Sequence, residues 1–387
     1  MTRCRICAST NLITAAHYDA LPVAGTYVTA EEFGTEPLLP LTAVYCADCG
    51  LLQLVEVLPD EVYRQYRYVG TVSASYRAHL DRSAQTLVDD WGVRGQRVVE
   101  IGCADGYFLR QMRERGGNQV FGYEPADQAR AICVTENHIP ATGSFFAAET
   151  LSECPLFPAD AILFRHVLEH IDDLNGFMAA VSGALTPTGI VVIEVPDLGS
   201  ILRQSLYFHF YHEHLSYFAL GSLERLLARY GLIVADSRIV DIHSGSLYVI
   251  CRKGQAQAFT DAPALADVRQ FFDAVSDYAA RLRSFVGDQR AAGLRIAGYG
   301  AAHRSVVALS LARLEGIDYL VDKNPHLHGL YTPGSHLPIY PPERLHVDQP
   351  DALILFASSF EDEIMREQRD QYHGRFISIL PTPRFVP

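Results

Sequence analysis

The sequence has no long hydrophobic run and carries little basic charge. Apolar stretches such as Ile190–Ile193 are far shorter than the roughly 20 residues that a membrane helix needs. Charges and cysteines occupy the first residues, where a signal peptide would have its apolar segment. The 32 Lys+Arg residues face 45 Asp+Glu residues, and the formal net charge of −13 disfavours nonspecific binding to nucleic-acid phosphates. We therefore expect a cytoplasmic monomer that binds neither membranes nor nucleic acids.

The rest of the composition is typical of a globular protein. Of its 387 residues, 49% are hydrophobic and 20% are charged. At roughly 100–200 residues per domain, this length predicts two or three domains. The eight cysteines are the first specific signal, because thiols in a reducing compartment serve as metal ligands or core residues and not as disulfides.

Four of these cysteines form two C-x-x-C pairs near the N-terminus, Cys4 with Cys7 and Cys46 with Cys49. Two such pairs can converge on the tetrahedral sulfur coordination that Zn²⁺ prefers, and four thiolates leave no open position for catalysis. We therefore predict a structural zinc site; the alternatives are two unrelated pairs or redox thiols. Residues 1–60 hold two basic and seven acidic side chains, which is the wrong sign for a nucleic-acid-binding finger.

From about Asp81 onward, predicted helices alternate with short apolar strands, which indicates a parallel sheet. The strand at 97–101 contains Glu100 and leads into a loop at 102–106 with a glycine at each end. Glycines at such a turn let a ligand approach the backbone. The next strand ends at Glu124, where a carboxylate can accept hydrogen bonds from both ribose hydroxyls of an adenosine-type cofactor. The pattern E-x-G-x-x-x-G fits S-adenosylmethionine better than NAD; the alternative is a purely structural turn.

The strands that follow complete the pattern of a known fold. We predict strands at 160–164 and 189–194 and a closing antiparallel pair at 232–234 and 246–251. Seven strands with this final hairpin resemble the class I methyltransferases, an α/β fold that binds S-adenosylmethionine. The resemblance implies that the cofactor is held by Glu100 before the loop, Gly102, Ala104 and Gly106 at the methionine end, Glu124 at the ribose, Ser144 and Phe145 at the adenine, and Arg165 and His166 beneath it. The nearby His170 is interpreted as an ordinary surface histidine.

A dense cluster of histidines and tyrosines follows the fifth strand of this fold. Residues 207–218 contain three histidines, three tyrosines and one carboxylate. Loops at the carboxyl ends of parallel strands hold the chemistry in such folds, and His and Tyr suit proton transfer and oxyanion stabilisation. We predict an active site here; the alternative is an aromatic wall with structural hydrogen bonds. The H-E-x-x-H spacing of a catalytic zinc site is missing.

The segment Tyr211–Phe218 resembles the signature of the sugar C-methyltransferases, which act on nucleotide-linked 4-keto-6-deoxyhexoses. The resemblance covers essentially the whole chain, including the cysteine quartet. It implies a zinc-binding module at 1–70, a methyltransferase domain at 71–256, and a linker helix with a nucleotide-sugar-binding domain at 257–387. It also implies a dTDP-linked substrate that is methylated beside its C-4 ketone, at C-3 in preference to C-5.

The same resemblance assigns roles to single side chains. His214 is the expected base, Glu213 orients it or shares its role, and Tyr211 hydrogen-bonds the substrate or its enolate. Tyr68 has the same expected role, although its segment departs from the Tyr-x-Ser-Ser pattern of the family. The further substrate contacts expected in the cluster are His212 and Tyr217.

In the last third of the chain, apolar residues at three- and four-residue steps predict a long amphipathic helix over 268–285. The segment after this helix repeats the strand–loop–helix layout of the central part. A second, smaller Rossmann-like unit follows; the alternative is a degenerate duplicate without a ligand. The family pattern Gly-Tyr-Gly-Ala-Pro-Ala-Lys has Ala302 here in place of proline and Arg304 in place of lysine. Arginine keeps the charge and gains a bidentate fork for phosphate. The resemblance implies that this unit holds the nucleotide diphosphate through Tyr299, Ala301, Arg304, Asp322, Lys323 and His336.

Two other functions remain open on the sequence. An O- or N-methyltransferase acting on a nucleotide sugar or a small metabolite would use the same cofactor loop but would need no ketone. A zinc-binding scaffold without activity is disfavoured, because two domains carry ligand-binding patterns. The sequence therefore favours an S-adenosylmethionine-dependent C-methyltransferase.

Overall fold

Three β-sheets organise the chain, one for each of its predicted parts. The computed structural model describes residues 3–64, 73–255 and 258–387. Within these ranges, no helix has both the length and the apolar character that crossing a membrane requires. The predicted α/β architecture, with a small N-terminal module and two sheets of the Rossmann-like type, is confirmed.

The N-terminal sheet is antiparallel and takes one strand from far along the chain. It consists of β1 (Leu12–Pro22), β2 (Leu38–Cys46), β3 (Leu52–Leu54) and β9 (Ser216–Tyr217), in that order, and the short helix α1 (Asp60–Arg64) follows β3. Leu52 pairs with Tyr217 and Gln53 with Ser216. Because β9 belongs to the histidine–tyrosine cluster, the cysteine-bearing module and that cluster form one structure.

The central sheet has the predicted seven strands. These are β4 (Arg97–Ile101), β5 (Gln119–Tyr123), β6 (Ala141–Thr142), β7 (Ala159–Arg165), β8 (Leu185–Pro196), β10 (Leu232–Val240) and β11 (Ser246–Lys253). Their order is β10-β11-β8-β7-β4-β5-β6, and only the pairs made by β11 are antiparallel, as the closing hairpin requires. The helices are α2 (Ala74–Asp89), α3 (Tyr107–Gly116), α4 (Asp127–Thr135), α5 (Leu174–Ala184), α6 (Leu198–Arg203) and α7 (Leu220–Ala228).

The C-terminal sheet is parallel apart from its last strand. Its strands are β12 (Ile296–Tyr299), β13 (Tyr319–Val321), β14 (Ile339–Tyr340), β15 (Ala352–Leu355), β16 (Arg375–Ser378) and β17 (Arg384–Val386). They are arranged in the order β14-β13-β12-β15-β16-β17, and β17 runs antiparallel to β16. The helices of this part are α8 (Leu265–Ala291), α9 (His303–Leu311), α10 (Arg344–Asp348) and α11 (Glu361–Gln368).

One hydrophobic core joins the outer two sheets. Helix α8 buries the residues that its predicted period selects, among them Val268, Phe271, Phe272, Val275, Tyr278 and Leu282. Leu41 of β2, Phe210 before β9 and Ile296 of β12 belong to the same core. The histidine–tyrosine cluster is therefore enclosed by residues from all parts of the chain.

Candidate active site

The four cysteines of the C-x-x-C pairs come together beside the N-terminal sheet. The Sγ atoms of Cys4 and Cys49 are 3.4 Å apart, those of Cys7 and Cys46 are 3.6 Å apart, and all four lie within 4.8 Å of one another. A tetrahedral zinc ion with Zn–S bonds of about 2.3 Å separates its sulfurs by about 3.8 Å, so the group fits the predicted structural zinc. Arg5, between the first two cysteines, donates hydrogen bonds to the carbonyls of Leu54 and Leu215, the residue after His214.

A cavity of about 420 Å³ lies at the carboxyl ends of β4, β5 and β7. The predicted cofactor residues that line it are Gly102, Ala104, Glu124, Ser144, Phe145, Arg165 and His166. Tyr63, His170 and Leu215 complete part of its wall. The cofactor cavity therefore adjoins the histidine–tyrosine cluster.

The loop after β4 needs glycine at both of its predicted glycine positions. Gly102 has a φ of +71°, and a Cβ there would lie 2.4 Å from Cγ2 of Val167. Gly106 has a φ of +77°, and its Cβ would lie 2.7 Å from Sγ of Cys133. Only glycine adopts this backbone at no steric cost, so the two residues let the loop fold tightly against the cavity.

Glu124 at the end of β5 has the geometry of the predicted ribose acceptor. Its two carboxylate oxygens accept hydrogen bonds from the backbone N–H groups of Ala104 (2.8 Å) and Ala126 (2.9 Å). Burial raises the pKa of Glu124, and these two donors oppose that effect. Each oxygen keeps a further lone pair, with which a ribose hydroxyl can be bound in the cavity.

Glu100 and Arg165 form an ion pair under the loop. The guanidinium of Arg165 also lies 3.7 Å from the centroid of the Phe108 ring. Burial raises the pKa of Glu100 to about 7, although Arg165 opposes the shift. Nε and Nη1 of Arg165 are buried and have no hydrogen-bond partner among the described residues. Such donors at a cavity wall fit the carboxylate of the methionine end of S-adenosylmethionine.

His166 belongs to a buried chain of acids and histidines beside the cavity. His79 Nε2 donates to Glu194 at 2.9 Å, and His166 Nε2 lies 3.3 Å from the other oxygen of Glu194. Nδ1 of His166 lies 3.4 Å from Glu169. Burial lowers the pKa of His166, but the two glutamates outweigh it and raise the pKa to about 9. The sequence analysis missed His79 and Glu194; the only signal was that Glu194 closes a predicted strand.

His214 is buried and lies against Tyr211. Its Nε2 is 2.7 Å from the Tyr211 hydroxyl, and the two ring centroids are 4.1 Å apart. Burial, reinforced by the nearby His170 and His303, holds the pKa of His214 well below its usual range. The imidazole is therefore neutral near pH 7 and can accept a proton.

His170 is part of this cluster, in contrast to its interpretation as a surface histidine. Its Nδ1 donates to the backbone carbonyl of Glu213 at 2.6 Å, and its ring packs edge-on against His214 with 4.8 Å between centroids. The segment after β7 turns His170 inward, a feature that depends on packing and has no local sequence signal. Carboxylate and ring-nitrogen atoms of Glu169, His170 and His214 lie within 4.8 Å of one another.

Glu213 is fully buried, and its carboxylate contacts the N-terminal and C-terminal parts of the chain. Its Oε1 accepts a hydrogen bond from the N–H of Gly25 at 2.7 Å and lies 3.4 Å from Nε2 of His303. The hydroxyl of Tyr63 donates to its backbone carbonyl at 3.2 Å. Neither Gly25 nor His303 was a candidate in the sequence, because only the tertiary fold brings them to Glu213.

The other residues predicted in the cluster are engaged within the protein. His212 Nε2 donates to the carbonyl of Pro40 at 3.0 Å, and the Tyr217 hydroxyl donates to the carbonyl of His209 at 3.2 Å. Their role as substrate contacts stays a prediction. Tyr68 lies outside the described residues.

The C-terminal residues divide into two groups. Asp322 repeats the arrangement of Glu124, since it accepts hydrogen bonds from the N–H groups of Ala301 and Asn324. Arg304 reaches toward the central unit, donating to Ser359 at 2.8 Å and to His209 at 3.3 Å.

The remaining C-terminal candidates are held elsewhere. Tyr299 is buried, and its hydroxyl has no partner among the described residues. Lys323 pairs with Glu363 and Glu367 of α11. His336 pairs with Glu36 of the N-terminal module and stacks on Phe33 with 4.1 Å between centroids. The contacts of Lys323 and His336 hold elements of the fold together, and their roles in substrate binding stay predictions.

Three family models and one full-length relative agree with this arrangement. Family models match a zinc binding domain at residues 4–63, a methyltransferase domain at 74–236 and a C-methyltransferase C-terminal domain at 255–381. C-methyltransferase NovU of Streptomyces niveus is 30% identical over 99% of this chain and 96% of its own. A ubiquinone biosynthesis O-methyltransferase of Neisseria meningitidis is 25% identical over 41% of this chain and 73% of its own. The S-adenosylmethionine-bound magnesium protoporphyrin IX methyltransferase of Synechocystis, at 12% identity, aligns with a TM-score of 0.36 over 46% of this chain and 80% of its own.

The protein is therefore an S-adenosylmethionine-dependent methyltransferase. More specifically, it belongs to the C-methyltransferase family that includes NovU, because the similarity extends over the full length of both chains.

Proposed function

We propose that the enzyme methylates a carbon beside the C-4 ketone of a nucleotide-linked 4-keto-6-deoxy sugar, at C-3 in preference to C-5. The observation that carries this proposal is the buried Tyr211–His214 pair next to the cofactor cavity. Methylation of carbon needs a base, whereas many oxygen and nitrogen acceptors are nucleophiles already. A neutral histidine hydrogen-bonded to a tyrosine supplies a base and an enolate-stabilising donor together.

The C-4 ketone acidifies the neighbouring C–H bonds, and we assign the proton transfer to Nδ1 of His214. Its Nε2 is held by the Tyr211 hydroxyl, which keeps the ring in one orientation. The hydroxyl of Tyr211, with that of Tyr68, hydrogen-bonds the enolate oxygen. Glu213 orients His214 through the backbone, because the two residues are consecutive in the chain.

The cofactor residues place the reacting group at the cluster. Bound S-adenosylmethionine supplies an electrophilic methyl group on a sulfonium centre, to which the deprotonated carbon is the nucleophile. Glu124 would bind its ribose, and Ser144 with Phe145 would surround its adenine. The two Arg165 donors that have no partner among the described residues would bind its carboxylate. Tyr63 and His170 line the cavity on the side of the cluster.

We further propose that the C-terminal unit holds the diphosphate and nucleotide of the substrate, with dTDP as the nucleotide part. Arg304 supports this proposal because its guanidinium lies between the C-terminal and central units. With a net charge of −13, a few placed cations must capture an anionic substrate. We also propose that the enzyme works as a cytoplasmic monomer.

The test is incubation of the purified protein with S-adenosylmethionine and dTDP-4-keto-6-deoxyglucose, followed by NMR of the product. We expect a new methyl group on a carbon adjacent to C-4. In D₂O with S-adenosylhomocysteine in place of the methyl donor, we also expect exchange of the C–H proton at the same carbon. A methyl group on oxygen or nitrogen without any C–H exchange would show the alternative O- or N-methyltransferase activity and refute the proposal.

A further inference from the structure

Glu213 lies where the three parts of the chain meet. Gly25 of the N-terminal module donates its N–H to Oε1 of Glu213 at 2.7 Å. The same oxygen lies 3.4 Å from Nε2 of His303, the first residue of α9 in the C-terminal part. Because Glu213 is fully buried, its ionised form depends on such contacts and not on water.

The contact between these residues is close. A Cβ at position 25 would lie 3.1 Å from Oε1 of Glu213 and 3.2 Å from Nε2 of His303, so the three residues are closely packed. The ring of His303 also lies beside Tyr211, with 5.3 Å between centroids. His303 therefore contacts two members of the proposed catalytic cluster from a different part of the chain.

The electrostatics agree with the geometry. The titratable side chains that face Glu213 are Tyr63 of α1, His170 after β7, Tyr217 of β9 and His303 of α9. Burial raises the pKa of Glu213, but His303 and the N–H of Gly25 outweigh it, and the pKa lies below its usual value. Among the four side chains, His303 has the largest part in keeping the carboxylate ionised.

His303 is also a departure from the family pattern. In Gly-Tyr-Gly-Ala-Pro-Ala-Lys, an alanine stands at the position that His303 occupies here. Alanine has no N–H group in its side chain and is too short to reach Glu213. The pairing with Glu213 therefore needs the histidine that this chain has at position 303.

We infer that His303 is a positioning residue, which pairs with Glu213 across the boundary between the central and C-terminal parts and holds it ionised and oriented beside His214. The charge and orientation of the Glu213 carboxylate then depend on the position of the C-terminal part. The inference rests on the proposed function for its catalytic meaning, but the pairing itself can be measured without any sugar substrate.

The first test measures the titration of Glu213 in the full chain labelled with ¹³C-carboxyl glutamate. The Glu213 signal is identified by its loss in Glu213→Gln. We compare His303→Leu, which fills the site without an N–H, with His303→Gln, which keeps one. We expect the titration midpoint of Glu213 to rise by about one pH unit or more in His303→Leu and by less in His303→Gln.

His346→Leu is the matched control, because His346 contacts Gln368 in the C-terminal part, away from the cavity. It should leave the Glu213 midpoint unchanged. An unchanged midpoint in a folded His303→Leu protein, with folding checked by thermal unfolding, would overturn the inference. If His303→Leu does not fold, His303→Gln decides the question. A Glu213 midpoint near the wild-type value, with S-adenosylmethionine binding retained, would support the inference. A midpoint that rises by about one pH unit or more, with binding retained, would overturn it.

The second test uses turnover once a substrate is established. We expect His303→Leu to lower kcat about tenfold to a hundredfold with little change in KM, and His303→Gln to recover part of the loss. A raised KM at unchanged kcat would make His303 a substrate-binding residue instead and would refute its positioning role. Because the titration needs no sugar, failure of the proposed substrate leaves the first test intact.

Discussion

The side chain to which we assign the most direct chemical role is His214, and its burial decides which protonation state it has. A histidine in water is partly protonated near neutral pH, whereas burial holds the pKa of His214 well below its usual range. The contact with Tyr211 fixes its orientation. Neutrality and orientation are the two properties that a base for C–H deprotonation needs.

We expect His214→Asn to lower turnover by about two to four orders of magnitude, because asparagine fills much of the space but cannot accept the proton. Affinity for S-adenosylmethionine should stay near wild type, since the cavity residues are unchanged; calorimetry measures it. A near-normal rate with cofactor still bound would remove His214 from the mechanism.

His166 should make the stability of the protein depend on pH. Its pKa is raised to about 9 in the folded chain and is about 6.5 when unfolded. The stabilisation by Glu169 and Glu194 is therefore complete below pH 6.5 and is lost as the pH rises through 9.

We expect the free energy of unfolding to fall over that window by on the order of 2–3 kcal/mol more in the wild type than in His166→Gln, measured by urea denaturation. His346→Gln should follow the wild type. Equal pH dependence in the wild type and His166→Gln would contradict the charged state of His166.

At the scale of single elements, the loop between β4 and α3 was predictable because its requirements are local. Strand β4 has the predicted bounds, β5 ends directly before Glu124, and the loop glycines take the positive φ angles that such a turn needs. The pairing of β3 with β9 had no such signal, since Leu52 and Tyr217 are far apart in the chain and β9 has only two residues. Short strands that pair at long range are decided by the surrounding packing.

A matched pair of glycine variants, one in this loop and one after α3, tests what the loop contributes. Gly102 and Gly117 both have positive φ, of +71° and +65°, but a Cβ at 102 meets Val167 whereas one at 117 meets nothing within 4 Å. Both alanine variants should lose about 1–2 kcal/mol of stability from the left-handed backbone. Only Gly102→Ala should also weaken S-adenosylmethionine binding, by about tenfold or more, because Val167 lines the cavity. Equal affinities in calorimetry would show that the loop does not shape the site.

At the scale of the whole molecule, the N-terminal module contacts the histidine–tyrosine cluster. Arg5 lies between two cysteines and donates to the carbonyl of Leu215, and Tyr63 donates to that of Glu213. Strand β9 completes the N-terminal sheet. We therefore expect loss of the metal to disturb the backbone on both sides of His214.

We expect about one zinc ion per chain by elemental analysis, and none in Cys46→Ser. That variant should lose most of its activity and melt at a lower temperature, whereas Cys251→Ser, at a buried thiol outside the group, should keep its zinc. Wild-type protein without bound zinc, or full activity in the metal-free variant, would contradict the structural role.

The amino-acid sequence alone determined the features that depend on near neighbours along the chain. The C-x-x-C pairs, the glycine loop with Glu124 after the next strand, and the apolar period of α8 were all predictable, because each arises from spacing within about 30 residues. The four cysteines could be predicted to form one site because a metal requires a complete set of ligands.

The tertiary structure alone decided which groups surround the histidine–tyrosine cluster. Gly25, His170 and His303 lie far apart in the sequence, and they meet at Glu213 and His214 because one core joins the sheets of the chain. Burial lowers the pKa of His170 and of His214, and burial is a property of the assembled fold. The sequence therefore predicted the chemistry of the side chains, while the packing determined their partners and their charge.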